Sequence, residues 1–382
     1  MRLMREELYK ICSRKIVKIS FIVVVAGIVL LFMMSGPWNE RCSIGSGKSR
    51  EDYSGFAAIA KDKELAAEFE GVLTDDVVSR MAEKCLFQEY AAKGIVTNRN
   101  YVNTFFTDND LTDAVYRGEE PACATRTVPL ADSAMGRLTG EPVYFTYIRG
   151  WQVLKELYTM GTLLVGIFLI IALSSVFAEE YSLKTISILL TTAHGKKKDI
   201  YAKLAAGVVF GTGVFGICTV LMVLLCGSVY GFQGLGCFAG MLDGSWYLST
   251  EWMASVSYVS IGSFFARYFL LALSGLSLLT VFMLFVSAVS KQNFTALILG
   301  LIFFLLPILL WIFYQTFYPL MSPRFSFVFK CMISSSPIYS CLGNALEQVT
   351  TRTMLLFRGG EYAVIALFCV LVMVWSYRNY QG

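Results

Sequence analysis

Apolar and polar stretches alternate along the chain in a pattern that predicts six membrane-crossing helices. Apolar runs occupy residues 19–34, 157–178, 204–230, 268–289, 294–315 and 362–377. A helix needs about 20 predominantly apolar residues to cross a hydrocarbon core. None of the six runs contains Asp, Glu, Lys, Arg or His. The predicted fold is an all-α polytopic membrane protein with six transmembrane helices. A large, mainly helical extracytoplasmic domain at 35–156 separates the first two.

The polar segments differ in kind. Residues 1–18 carry Arg2, Arg5, Lys10, Arg14, Lys15 and Lys18. Met4, Leu8, Ile11 and Lys15 recur at helical spacing, which suits an amphipathic helix on the inner membrane surface. An unstructured basic leader is the alternative. A basic start before an apolar run also resembles a signal peptide, but no A-x-A-like site follows, so 19–34 is expected to be an uncleaved anchor. Within 35–156, which holds 14 Lys/Arg and 19 Asp/Glu, the segment from Asp62 to Lys93 has helical periodicity. Its apolar positions are Leu65, Phe69, Val72, Leu73, Val77, Met81, Cys85 and Leu86. Pro142–Ile148 reads as a strand or an extended approach to the second span. Residues 231–267 form an outer loop rich in Gly and aromatics, with Trp246, Tyr247 and Trp252 suited to headgroup level. Residues 316–361 are too apolar for a free loop and too broken by Pro319, Pro323 and Pro337 for a span. Re-entrant or interfacial helices fit them.

Composition agrees with a membrane protein. The chain is 56% hydrophobic and 16% charged over 382 residues, with a mean hydropathy of +0.59. Soluble domains are nearer 45–50% apolar and about 25% charged. The net charge of +4 gives no reason to invoke nucleic acid. Lys and Arg set the orientation. With the N-terminus inside, 1–18, 179–203, 290–293 and 378–382 hold 13 of them, and the two short outer loops hold one and four. Both termini and the 179–203 loop are therefore expected in the cytoplasm.

That central loop, EEYSLKTISILLTTAHGKKKDIYAK, carries five lysines and the chain's single histidine, His194. Leu183, Ile186 and Leu190 share one face of a short helix at i, i+3 and i+7. Asp199 can cap the helix that follows. A plain positive-inside tether is the alternative reading. The loop resembles the first cytoplasmic loop of ABC transporter permeases of the type-2 exporter class. Glu180, Thr185, Leu189, Leu190, Thr191, Thr192, Lys196–Lys197, Ile200 and Lys203 stand at the steps of that family's pattern. Lys184 stands where glycine is usual, and Ala193 where proline is usual. In that family the loop is a coupling helix that docks on an ATP-binding subunit. The resemblance therefore implies coupling and partner-binding roles for Glu180, Leu183, Thr185, Ile186, Leu189, Leu190 and Lys203. It also implies a second permease subunit, as a homodimer or heterodimer, in a bacterial cell membrane.

Other motifs carry less. Cys42–Ser49 (CSIGSGKS) falls one residue short of a phosphate loop, and no apolar helix start follows it. Gly211-x-Gly213-x-x-Gly216 matches a dinucleotide fingerprint only inside an apolar run, with no strand before it. Gly207-x-x-x-Gly211 is the better reading, a small-residue face for close helix packing. His194 has no Cys, His or carboxylate cluster near it, so no metal site is expected. The ten cysteines form no C-x-x-C pair. A disulfide among Cys42, Cys85 and Cys123, or between Cys331 and Cys341, stays open. The missing charges in the spans argue against a proton- or sodium-coupled carrier or channel. With no phosphate loop, no ATP hydrolysis is expected on the chain itself, and no cofactor. The expected function is the permease subunit of an ABC exporter, moving a lipid-like or amphipathic substrate. The alternative is a membrane-anchored sensor whose outward domain binds a ligand.

Overall fold

The computed structural model describes residues 2–44, 51–84, 142–183, 198–242, 259–290, 292–317, 322, 324, 333, 336–341 and 352–378. Helices dominate: α1 (Arg2–Ser13), α2 (Lys15–Ser35), α3 (Phe56–Glu68), α4 (Asp75–Lys84), α5 (Arg149–Leu173), α6 (Ala178–Ser182), α7 (Lys198–Tyr230), α8 (Ile261–Val289), α9 (Asn293–Phe317) and α10 (Arg352–Arg378). Four short strands pair as two antiparallel ribbons. They are β1 (Arg41–Ile44) with β2 (Glu51–Ser54), and β3 (Gly71–Val72) with β4 (Tyr144–Phe145).

Among the described residues five helices are long and apolar enough to cross a membrane: Lys15–Ser35, Arg149–Tyr181, Lys198–Tyr230, Ile261–Val289 and Asn293–Tyr314. The protein is thus an integral membrane protein by the length and composition of its helices. The sixth expected run lies in α10, whose apolar part, Gly359–Val372, is shorter. Several boundaries move. α5 begins at Arg149 rather than 157, and takes in Lys155 and Glu156. α7 begins at Lys198 and takes in Lys203, and α8 begins at Ile261 and takes in Arg267. The helices therefore do carry ionisable residues, which the apolar runs alone did not suggest. The predicted surface helix 1–18 ends at Ser13, and Lys15 and Lys18 belong to α2. Ile11 is buried on α1 as its periodicity requires.

The chain divides into two compact units. The first comprises Met1–Val29, Tyr158–Leu221 and Arg267–Gly382. Its core is aliphatic and aromatic: Val165, Leu169 and Leu173 of α5, Leu276, Leu279 and Met283 of α8, and Phe304 of α9 are buried. Small residues set the helix spacing. A Cβ on Gly207 would lie 2.7 Å from Leu284 Cδ1, and one on Gly211 would lie 2.5 Å from Thr280 Oγ1. The Gly207/Gly211 face therefore packs α7 against α8, as the GxxxG-like spacing predicts. Gly213 and Gly216 meet open space, so the fingerprint Gly211–Gly216 does not converge on one site.

A non-helical turn, Ser336–Cys341, is packed among these helices. Its backbone carbonyls would be costly to bury without donors. Tyr268 Oη donates to Cys341 O at 3.0 Å, Thr162 Oγ1 to the same carbonyl at 3.4 Å, and Tyr362 Oη to Ser336 O at 3.0 Å. A Cβ on Gly275 would strike Ser340 Oγ, so that glycine of α8 admits the turn. Cys341 is a buried thiol here, its Sγ donating to Pro337 O at 3.5 Å, and not half of a disulfide. Cys331, its suggested partner, lies outside the described residues.

The second unit comprises Leu30–Leu157 and Met222–Ala266. The single helix expected over Asp62–Lys93 is two, α3 and α4, with β3 between them. Gly71, at φ +142°, explains the break, because that backbone does not continue a right-handed helix. The buried set shifts accordingly. Leu65, Phe69, Leu73 and Met81 are inside, but Val72 is 52% exposed and Val78 takes the place expected of Val77. Cys85 and Leu86 lie outside the described residues. Pro142–Ile148, expected as a strand or an extended approach, holds the two-residue strand β4. The phosphate-loop look-alike begins in a strand, β1, and is followed by another, β2, instead of a helix. Among the described residues no helix N-terminus follows it directly to face a phosphate. Cys42 is buried on β1, and Cys85 and Cys123 lie outside the described residues. The same holds for Trp246, Tyr247 and Trp252.

One buried charge ties this unit together. Glu40, 4% exposed, accepts from Arg149 Nε at 2.9 Å and Tyr230 Oη at 3.2 Å. Beside it Trp151 packs at a tilt against Phe232 and Phe265, with centroids 4.3 and 4.9 Å away, and donates Nε1–H to Gln233 O at 2.8 Å.

Candidate functional site

In the first unit the central loop joins α6 to α7, and the two ends of the motif meet. α5 stops at Leu173, and the chain bends before α6. Ser287 of α8 holds that bend. Its hydroxyl accepts from the Phe177 and Ala178 N–H groups at 2.9 and 3.1 Å and donates to Ser174 O at 2.8 Å. One serine thus satisfies three backbone groups that a broken helix leaves open.

The bend aims Glu180 at Lys203. The Lys203 ammonium pairs with Glu180 Oε1, and with Asp199 Oδ2 at 2.8 Å one helical turn away. The side chain of Lys203 is 1% exposed, so this is a buried ion cluster. Its Nζ also sits 5.2 Å from the centroid of the Phe177 ring. Asp199 was expected to cap α7. Instead it lies inside the first turn of that helix, and its carboxylate goes to Lys203, whose charge is the stronger attraction.

Helix α1 supplies a second layer. Arg14, in the break between α1 and α2, donates to Ser175 Oγ at 2.6 Å and to Glu179 Oε2 at 2.5 Å. On α1, Glu7 is buried and pairs with Lys10. Burial lowers the pKa of Lys10, but the hydrogen bond and charge of Glu7, with the charges of Glu180 and Asp199 behind them, outweigh it and leave it raised. The cluster holds three carboxylates (Glu7, Glu180, Asp199) against two ammonium groups (Lys10, Lys203).

The predicted site residues thus separate. Glu180 and Lys203 are brought together. Leu183, next to α6, is 65% exposed. Gly207 and Gly211 lie just beyond, against α8. Thr185, Ile186, Leu189 and Leu190, with His194, lie outside the described residues. Glu7, Lys10, Arg14, Ser175 and Ser287 were missed. Only Asp199 left a sequence signal, its i, i+4 spacing to Lys203. Among the described residues no group of three or more His, Cys, Asp or Glu could hold a metal ion. The arrangement holds the two ends of the loop together through the Glu180–Lys203 pair. No protein-family model, characterised protein or solved structure matches the chain.

Proposed function

We propose that the chain is the permease subunit of an ABC exporter, and that the 180–203 loop is its coupling helix. One observation carries this reading. Glu180 and Lys203, the first and last residues that match the permease pattern, are 23 residues apart and meet in a buried ion pair. A tether has no need of such a pair. A loop that transmits force does, because its two ends must move as one body. In this reading a separate ATP-binding subunit hydrolyses ATP, and a second permease, its own copy or another chain, completes the pathway. Both termini and the loop face the cytoplasm of a bacterial cell, six helices cross the membrane, and 35–156 face outward. The substrate is lipid-like or amphipathic.

The test is co-purification of the tagged full-length chain with an ATP-binding subunit from its native membranes. Each buried aliphatic side chain contributes roughly 1.5–3 kcal/mol. Changing Ile186 and Leu190 together to Asp should weaken the complex by several factors of ten, at about 1.4 kcal/mol per factor. Changing Lys196, Lys197 and Lys198 to Gln should leave it intact. Equal recovery of the ATP-binding subunit with wild type and the Asp double variant would overturn the coupling assignment.

A further inference from the structure

In the second unit a cavity of about 290 Å³ opens between α3, β4 and the turn after α7. Cavities for drug-sized ligands run about 300–1,000 Å³, so an occupant here is small. Its wall carries one cation, Lys63, and two carboxylates, Glu64 and Glu70, neither of them paired with that cation. Lys63 reaches in from α3. Its Nζ donates to Val229 O at 2.7 Å and lies 5.8 Å from the Tyr147 ring centroid. Among the described residues no carboxylate comes within ion-pair distance of it. The neighbouring Glu64 is spent on Lys61, at 2.8 Å. Opposite in charge is Glu70, just past α3, which accepts one hydrogen bond, from Thr146 Oγ1 at 2.9 Å. Gln233 adds an amide that can donate and accept.

The remaining capacity is specific. An ammonium has three donors and Lys63 uses one; a carboxylate has about four acceptor positions and Glu70 uses one. Lys63, half-buried against a carbonyl and an aromatic face, thus has donors left for a ligand. A plain anion would complete Lys63 and leave Glu70 facing more negative charge. A plain cation would do the reverse. We propose that this cavity binds a small zwitterion of amino-acid or dipeptide size, its carboxylate on Lys63 and its ammonium on Glu70, with Gln233 between them. Burial lowers the pKa of Lys63, which fits a lysine lacking its counter-ion. Access from outside the cell rests on the orientation proposed above, but binding itself does not.

The experiment is calorimetric titration of the purified full-length chain in lipid nanodiscs. The probes are alanine and glycylglycine, with acetate and ethylamine as half-probes carrying one charge each. At least one zwitterion should bind saturably at or below millimolar concentration, and each half-probe about tenfold or more weaker, or 1.4 kcal/mol. Lys63→Met and Glu70→Gln should each weaken the zwitterion about tenfold or more. Thermal unfolding of both variants separates lost binding from lost folding, and a misfolded Lys63→Met is replaced by Lys63→Gln. No saturable heat from either zwitterion at millimolar concentration would overturn the proposal. So would acetate binding as tightly as the zwitterions, or binding that ignores both substitutions. None of these outcomes touches the docking of an ATP-binding subunit.

Discussion

Lys203, sealed from solvent between Glu180 and Asp199, sets the behaviour of the site at the scale of single residues. Removing one member of a buried ion cluster leaves uncompensated charge and costs about 3–5 kcal/mol, whereas replacing all members by neutral groups is often close to neutral. Lys203→Met should therefore destabilise the chain strongly in denaturant unfolding. Adding Glu180→Gln and Asp199→Asn should recover most of the loss. A triple variant no more stable than Lys203→Met would refute the ion-cluster account. Lys63 is a contrasting case. Its folded pKa is lowered, so the unfolded chain binds more protons between that value and 10.5. Stability should rise with pH across that alkaline window, and the cost of the charge is fully present at neutral pH. The difference between wild type and Lys63→Met, measured by thermal unfolding across the window, should show that slope. A flat difference would mean the ammonium is not strained. Half of the Lys203 cluster was legible in sequence, because Asp199 and Lys203 are one turn apart. Glu180 was reached only through a motif, since a 23-residue separation has no periodicity to betray it.

At the scale of elements, α7 presents two sorts of glycine. Gly211 touches Thr280, and a larger side chain there would force α7 from α8, with overpacking costs of about 1–3 kcal/mol. Gly213 and Gly216 have nothing within 4 Å. Gly211→Leu should lower the unfolding temperature, and Gly213→Leu should leave it unchanged or raise it, since glycine costs a helix about 0.8–1.0 kcal/mol relative to alanine. Equal effects would refute the packing of Gly211 on Thr280. Existence of the long helices was legible because an uncharged run of that length has few other outcomes. Their ends were not. Arg149, Lys155 and Glu156 belong to α5 although their charges read as loop, because Glu40 pairs with Arg149 from another part of the chain. The break at Gly71 was hidden in the same way. Leu65, Phe69, Leu73 and Met81 keep a helical period across it, so the pattern survives although the helix does not.

At the scale of the molecule, the Lys/Arg asymmetry predicts sidedness. A cysteine at Lys61 or Asp76 should react with an impermeant reagent in intact cells, and one at Lys197 should not. Labelling at Lys197 would sink both the orientation and the coupling role. The Ser336–Cys341 turn has a consequence for how the chain is made. Non-helical backbone is tolerated at membrane depth only where protein groups satisfy it. Two of its donors, Thr162 and Tyr268, are synthesised before the turn, and the third, Tyr362, after it. The turn therefore leaves the ribosome before its last donor exists. Until α10 has entered, the Ser336 carbonyl must keep its water, and the segment must wait at the edge of the bundle. Cys341 reports on this wait. It is fully buried in the finished fold, so it should resist alkylation in the complete chain. In nascent chains halted before residue 362 it should react. Entry of α10 is then a closing step, which carries in the hydroxyl that allows the turn to dry.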